Sequence, residues 1–92
     1  MYTVLFSERA AKDIISIVEY IAADNAQAAE KLGSNLIELA LSLNSMPHRG
    51  SRVKNRPGTL KLILGNYLIY YRVNEAKRTA EIIRFLHGAR IR

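Results

Sequence analysis

The chain has no cysteine and no tryptophan. Without cysteine, neither a disulfide framework nor a thiolate metal site is available, so stability must come from packing. Histidine is almost as scarce. His48 and His87 form no HxH or HxxxH spacing, which argues against a metal centre, and neither a metal nor another cofactor is expected. Both prolines, Pro47 and Pro57, fall in one short region, so nothing breaks the patterns elsewhere. No apolar run approaches the roughly 20 residues of a spanning helix, and no membrane is expected as a partner. Met1-Tyr2-Thr3-Val4 passes at once into strand-like residues and does not read as a secretory leader, so the expectation is a soluble cytoplasmic protein.

What is present is an ordinary globular mixture, 49% hydrophobic and 24% charged, in 92 residues. That length predicts one domain over 1–92 around one core. The net charge of +6 is unevenly divided. Residues 1–46 carry three bases against six acids, a balance of −3; residues 47–92 carry eleven bases against Glu75 and Glu81, a balance of +9. Such asymmetry suits an acidic counterpart: nucleic acid, an anionic groove or an acidic peptide.

Tyr2-Thr3-Val4-Leu5-Phe6 reads as a first strand. Ser7 is placed to cap a helix with Glu8 in its first turn. Ala11, Ile14, Val18, Ile21 and Ala22 form its apolar stripe, ending near Ala23. Asp24, with Gln27 three residues on, reads as the capping box of a second helix, whose stripe is Ala29, Leu32, Leu36, Leu39 and Leu43, running to about Ser45. So short a connection implies an antiparallel helical hairpin, with Ala28 and Gly33 small enough for close approach. "MPHRGSRVKNRPGT", Met46 to Thr59, reads as a loop whose bases Arg49, Arg52, Lys54 and Arg56 act collectively. Leu60–Leu64 and Tyr67–Val73 flank Gly65-Asn66 as a hairpin, and Ala80–Leu86 is a final strand.

The predicted class is therefore α+β, ordered β-α-α-β-β-β, with the helix hairpin packed on a small, mostly antiparallel sheet. In the hairpin, Tyr67, Ile69, Tyr71 and Val73 share one face, while Leu68, Tyr70 and Arg72 share the other. In the last strand, alternation puts His87 with Ile83 and Phe85, and Arg84 with Ile82 and Leu86. The helices cover one face, and too little chain follows Leu86 to cover the other. A partly apolar, basic, concave face that another protein covers is the expectation.

The words "FSERAAKDIISIVEYIAADN", "PGTLKLILGNYLIYYRV" and "IIRFLHGAR", in this order and spacing, resemble RelE/ParE-superfamily toxins of type II toxin–antitoxin systems nearly end to end. The resemblance implies a toxin neutralised by a cognate ParD-like or RelB-like antitoxin in a hetero-oligomer. ParE-like members, associated with plasmid stabilization, bind DNA gyrase and trap its cleaved-DNA complex. RelE-like members cut messenger RNA on the ribosome without a metal, and would draw here on Lys61, Arg72 and His87 as catalytic residues. Several positions depart from the nuclease pattern. Leu68 stands where such nucleases often place arginine, Ile63 where a second lysine would help, and no tyrosine follows His87. "LHGAR", by contrast, resembles ParE-like endings. The expectation is a ParE-like gyrase inhibitor with no catalytic residue; the alternative is a RelE-like ribonuclease. Lys61, Tyr70, Arg72, Arg84, His87 and Arg90 are the candidate residues for target or antitoxin binding. His87 is read first as a strand-end imidazole bonded to nearby backbone where the chain turns at Gly88. His48 is read as a simple loop residue.

Overall fold

In the computed structural model, residues 1–88 are described. Ser7 divides the first two elements, β1 (Thr3–Phe6) and α1 (Glu8–Ala22). Its backbone is extended and its Oγ accepts a hydrogen bond from the Ala10 amide at 3.0 Å, satisfying one of the donors a helix start leaves open. The second helix, α2 (Ala26–Leu41), is capped by Asn25 and not by Asp24: Asn25 Oδ1 accepts from the Ala28 amide at 3.0 Å. Asp24 lies within the turn, its own amide donating to the Ile21 carbonyl, so the expected capping box does not form. After Leu41 the chain tightens into a 3₁₀ turn, Ser42–Asn44, which carries the buried Leu43.

The α2 stripe buries Ala29, Leu36, Ala40 and Leu43, largely as its periodicity predicts. The α1 stripe is rotated from the expected one. Ala10 is fully buried, Ile14 and Ile17 pack against the core, and Ala11 and Ala22 are exposed. Between the helices, a Cβ at Gly33 would sit 2.9 Å from Val18 Cγ2, a separation real side chains do not adopt, so glycine permits this approach. Ala28 is exposed and has no such role.

The sheet has five strands in the order β1-β5-β4-β3-β2. β3 (Leu60–Leu64) and β4 (Tyr67–Asn74) form the expected hairpin, with Gly65 at φ +58° in the first central position of the turn, where a positive angle favours glycine. β4 pairs antiparallel with β5 (Thr79–His87), and β1 pairs parallel with β5. The segment read as a continuous loop contains a further short strand, β2 (Ser51–Arg52), paired with Leu60 and Lys61. Two polar residues carry no alternation, so β2 has no sequence signature.

β5 departs from simple alternation. Tyr70 pairs with Arg84 but Tyr71 pairs with Ile82, so Ile83 is an extra residue at a bulge. The bulge resets the alternation. Ile82 lies in the core with Phe85, both essentially buried, and Ile83 does not share their face as simple parity predicts. The core lies between the helices and the face carrying Ile69, Tyr71, Ile82 and Phe85.

The far face is covered in part by the chain itself. Between β2 and β3 the loop is closed by the Val53 amide donating to the Thr59 carbonyl at 3.0 Å, and its Arg56 guanidinium lies 5.5 Å from the centre of the Tyr70 ring. Tyr70 is therefore buried, although Ile63 remains 60% exposed on the same face. The loop is fixed at its start by the Gly50 amide, which donates to the Tyr71 hydroxyl at 2.9 Å. A Cβ at Gly50 would fall 2.6 Å from both the Lys61 carbonyl oxygen and that hydroxyl. Gly50→Ala should accordingly destabilise the fold by about 2–3 kcal/mol, as overpacking does. Tyr71→Phe, which loses only the hydrogen bond, should cost about 1 kcal/mol. Thermal melts of the two variants check the ranking, at roughly 4–8 °C per kcal/mol for a domain of this size.

Candidate functional site

Strand register assembles the outer-face residues. Lys61, Tyr70 and Arg84 stand opposite one another across β3, β4 and β5, and in the next row Arg72 faces Glu81. Arg72 is exposed, and its Nε donates to Oγ1 of the buried Thr59 at 3.3 Å, which aims the guanidinium along the face. A recess of about 470 Å³ opens here between Arg9, Arg56, Arg72 and Arg84, with Glu81 as its acidic member. Guanidinium groups converging on one hollow suit carboxylate or phosphate, which their planar forks grip in bidentate fashion.

Arg84 is the most constrained of them. Asp13 on α1 accepts from its Nε at 2.7 Å and from its Nη2 at 3.1 Å. The same carboxylate accepts from the Phe85 amide at 3.1 Å. That hydrogen bonding by Asp13 pushes the guanidinium's pKa above its ordinary value. Arg84 is thus charge-matched within the molecule and anchors a wall of the recess.

His87 lies on the other side of the sheet. It pairs with Tyr67 across the β4–β5 ladder, the rings meeting edge-on at 4.9 Å, and Tyr67 belongs to the helix-facing set. With Ser16, Ile17 and Tyr20 of α1 these two rings border a separate hollow of about 380 Å³. The backbone hydrogen bond at this strand end runs from the Gly88 amide to the Asn66 carbonyl at 2.6 Å and does not involve the imidazole. His87 Nδ1 is buried and has no hydrogen-bond partner among the described residues. The structure therefore brings Lys61, Tyr70, Arg72 and Arg84 to one face and places His87 on the opposite one. Arg90 lies outside the described residues.

Sequence reasoning missed two features. Arg9 belongs to the acidic half of the chain, and only folding carries the start of α1 to the arginine recess. His48 is also more than a loop residue: its Nε2 lies 2.5 Å from Glu75 Oε2, and Glu75 accepts a second hydrogen bond from the Tyr2 hydroxyl. The Arg78 guanidinium covers the Tyr2 ring at 4.8 Å. The Tyr2 bond, aided by His48 and Arg78, holds the Glu75 carboxyl below the ordinary carboxylate range, and the same bond pushes the Tyr2 phenol up. No sequence signal marks this cluster, since its partners come from the amino terminus, the 46–59 loop and the β4–β5 turn. Among the described residues no group of three or more histidine or acidic side chains is placed to hold a metal ion, and no helix is long and apolar enough to cross a membrane.

Two helices packed on a mostly antiparallel five-stranded sheet match the RelE/ParE toxin fold. Residues 4–92 match the family model of the ParE toxin of the type II toxin–antitoxin system parDE, and the chain belongs to that family. Among solved structures, it is similar to the chromosomal ParDE system of P. aeruginosa, at 22% identity and a TM-score of 0.80 over 95% of this chain and 96% of that one. The RelBE2 toxin–antitoxin complex of Mycobacterium tuberculosis matches at 25% identity and 0.74, covering 94% and 96%. The isolated RelE toxin of E. coli matches at 21% and 0.65, covering 99% and 88%. No curated protein matches by sequence. The chain is a toxin of a type II toxin–antitoxin system.

Asp13→Ala leaves both the Arg84 guanidinium and the Phe85 amide without their acceptor, and should cost about 2–3 kcal/mol in denaturant unfolding. The Glu75 cluster predicts a pH dependence. A carboxyl depressed on folding stabilises above its unfolded pKa, and that contribution disappears as pH falls through the folded one. The thermal midpoints of wild type and Glu75→Gln should therefore differ near neutrality and converge below the ordinary carboxylate range.

Proposed function

We propose that the chain is a ParE-like toxin that acts in the cytoplasm by binding DNA gyrase and trapping its cleaved-DNA complex, without cutting a substrate itself. One observation carries this reading: the cations and the imidazole occupy opposite faces of the sheet. Metal-free cleavage of RNA needs a proton-transfer group and charge-stabilising cations around the same phosphate. Lys61 and Arg72 point to the outer face, whereas His87 packs against Tyr67 beneath the helices. A docking surface has no such requirement, and Arg56, Arg72 and the exposed Ile63 offer charge beside apolar area. An acidic antitoxin segment seated over the same arginines silences the toxin by occupying that surface.

Purified chain added to gyrase should inhibit supercoiling and accumulate cleaved DNA, and Arg56→Glu with Arg72→Glu should weaken inhibition at least about tenfold, as expected for desolvated charge contacts. Transcripts in a translating extract should stay intact. Absence of gyrase inhibition, or message cuts that depend on translation and vanish in His87→Ala, would replace this reading with the ribonuclease one.

A further inference from the structure

The amino-terminal edge of the sheet is open. The Thr3 amide donates to the Arg78 carbonyl and the Ser7 amide to the Ile82 carbonyl, so the odd-numbered residues of β1 bond to β5. In an extended strand the intervening residues point the other way, so the amides and carbonyls of Val4 and Phe6 face outward. β1 is terminal in the strand order, so among the described residues no neighbouring strand meets them. The Tyr2 amide, also outward, is taken by the Asn44 carbonyl, which closes the edge on that side and leaves the Val4–Phe6 stretch bare.

Edge strands are normally guarded by charge, proline, a bulge or a covering element. Tyr2 to Ser7 contains no charged residue and no proline, the bulge lies on β5, and Leu5 and Phe6 are 46% and 37% exposed. Unlike the outer face of β3 to β5, this edge carries no side-chain charge of its own to select an oppositely charged partner.

We propose that this edge pairs with a second copy of the chain, β1 against β1, to form one continuous sheet. The register is self-complementary. An antiparallel pair with Leu5 on the two-fold axis sets Val4 of each copy opposite Phe6 of the other, and both pairs exchange their outward amides and carbonyls. Leu5 then meets Leu5 at the close, non-hydrogen-bonded position, about 4.5 Å between Cα atoms, and loses its exposed area. In the same register Glu8 of one copy approaches Tyr2 of the other, beside the Arg78 guanidinium that covers that ring, so opposite charges meet at the ends of the pairing. The contact is small against the roughly 1,000 Å² of a stable interface, so association is weak. Each copy carries +6, so self-association strengthens with salt, opposite in sign to the binding of an acidic partner.

Sedimentation velocity of the free chain from about 10 µM to about 1 mM, at low and at about 0.5 M salt, tests this in the weak-association range. The expected result is a monomer–dimer equilibrium that tightens with salt and weakens at least about tenfold in Leu5→Lys, which places like charges across the axis. Ile63→Lys, at a more exposed site on the outer face, should leave it unchanged, and circular dichroism verifies that both variants fold. A chain monomeric under every condition would overturn the proposal and leave the edge to an extended segment of another protein. A dimer dispersed by Ile63→Lys but not by Leu5→Lys would overturn it in favour of the outer face.

Discussion

The arrangement depends on how α1 serves the part of β5 that β1 does not reach. β1 pairs with β5 only as far as Phe6 and Ile82, and beyond that point β5 bulges and its backbone groups on that side lack a strand. The helix supplies the partners. The Ser7 hydroxyl donates to the carbonyl of the extra residue Ile83 at 2.9 Å while its oxygen caps α1. Asp13, further along the helix, accepts from the Phe85 amide and grips Arg84. An unpaired buried backbone group costs as much as a lost hydrogen bond, so these contacts set the seating of α1 on the sheet. The bulge fixes which residues of β5 face the core, and α1 makes the bulge tolerable.

The same clamp shapes the functional surface. By matching Arg84 with Asp13, the fold turns one guanidinium into a fixed wall and leaves Arg56 and Arg72 to meet whatever enters the recess. By inserting one residue ahead of Arg84, it keeps Phe85 and His87 on the helix side, where His87 faces Tyr67 and α1. The division of labour between a cationic face and an aromatic, imidazole-bearing one follows from a single register shift.

Much of this was legible in the chain. The helix hairpin, the Gly65-Asn66 turn, the assignment of Tyr67, Ile69 and Tyr71 to one face, and the lopsided charge all come from local periodicity or composition. What was not legible is non-local. Nothing in "IIRFLH" marks Ile83 as extra, because a bulge depends on the partner strand and on Ser7 far away in sequence. β2 is too short and too polar to register as a strand. Asn25 took the cap from Asp24 because the chain becomes extended only at Asn25, a distinction that two adjacent capping residues do not advertise. The cover that Arg56 gives Tyr70, and the arrival of Arg9 at the recess, required the path of the 46–59 segment and of α1 in space.

The bond between the Gly50 amide and the Tyr71 hydroxyl has a dynamic consequence. Tyr71 is fully buried, and burial pushes its phenol's pKa up, so the hydroxyl stays protonated and in place across the neutral range. A surface segment rich in arginine ordinarily frays on its own, at little free-energy cost. Here its root is tied to a side chain that can leave only when the interior opens. The Gly50 proton should thus exchange with solvent as slowly as those of the central strands, making the charged arm part of the same cooperative unit as the core.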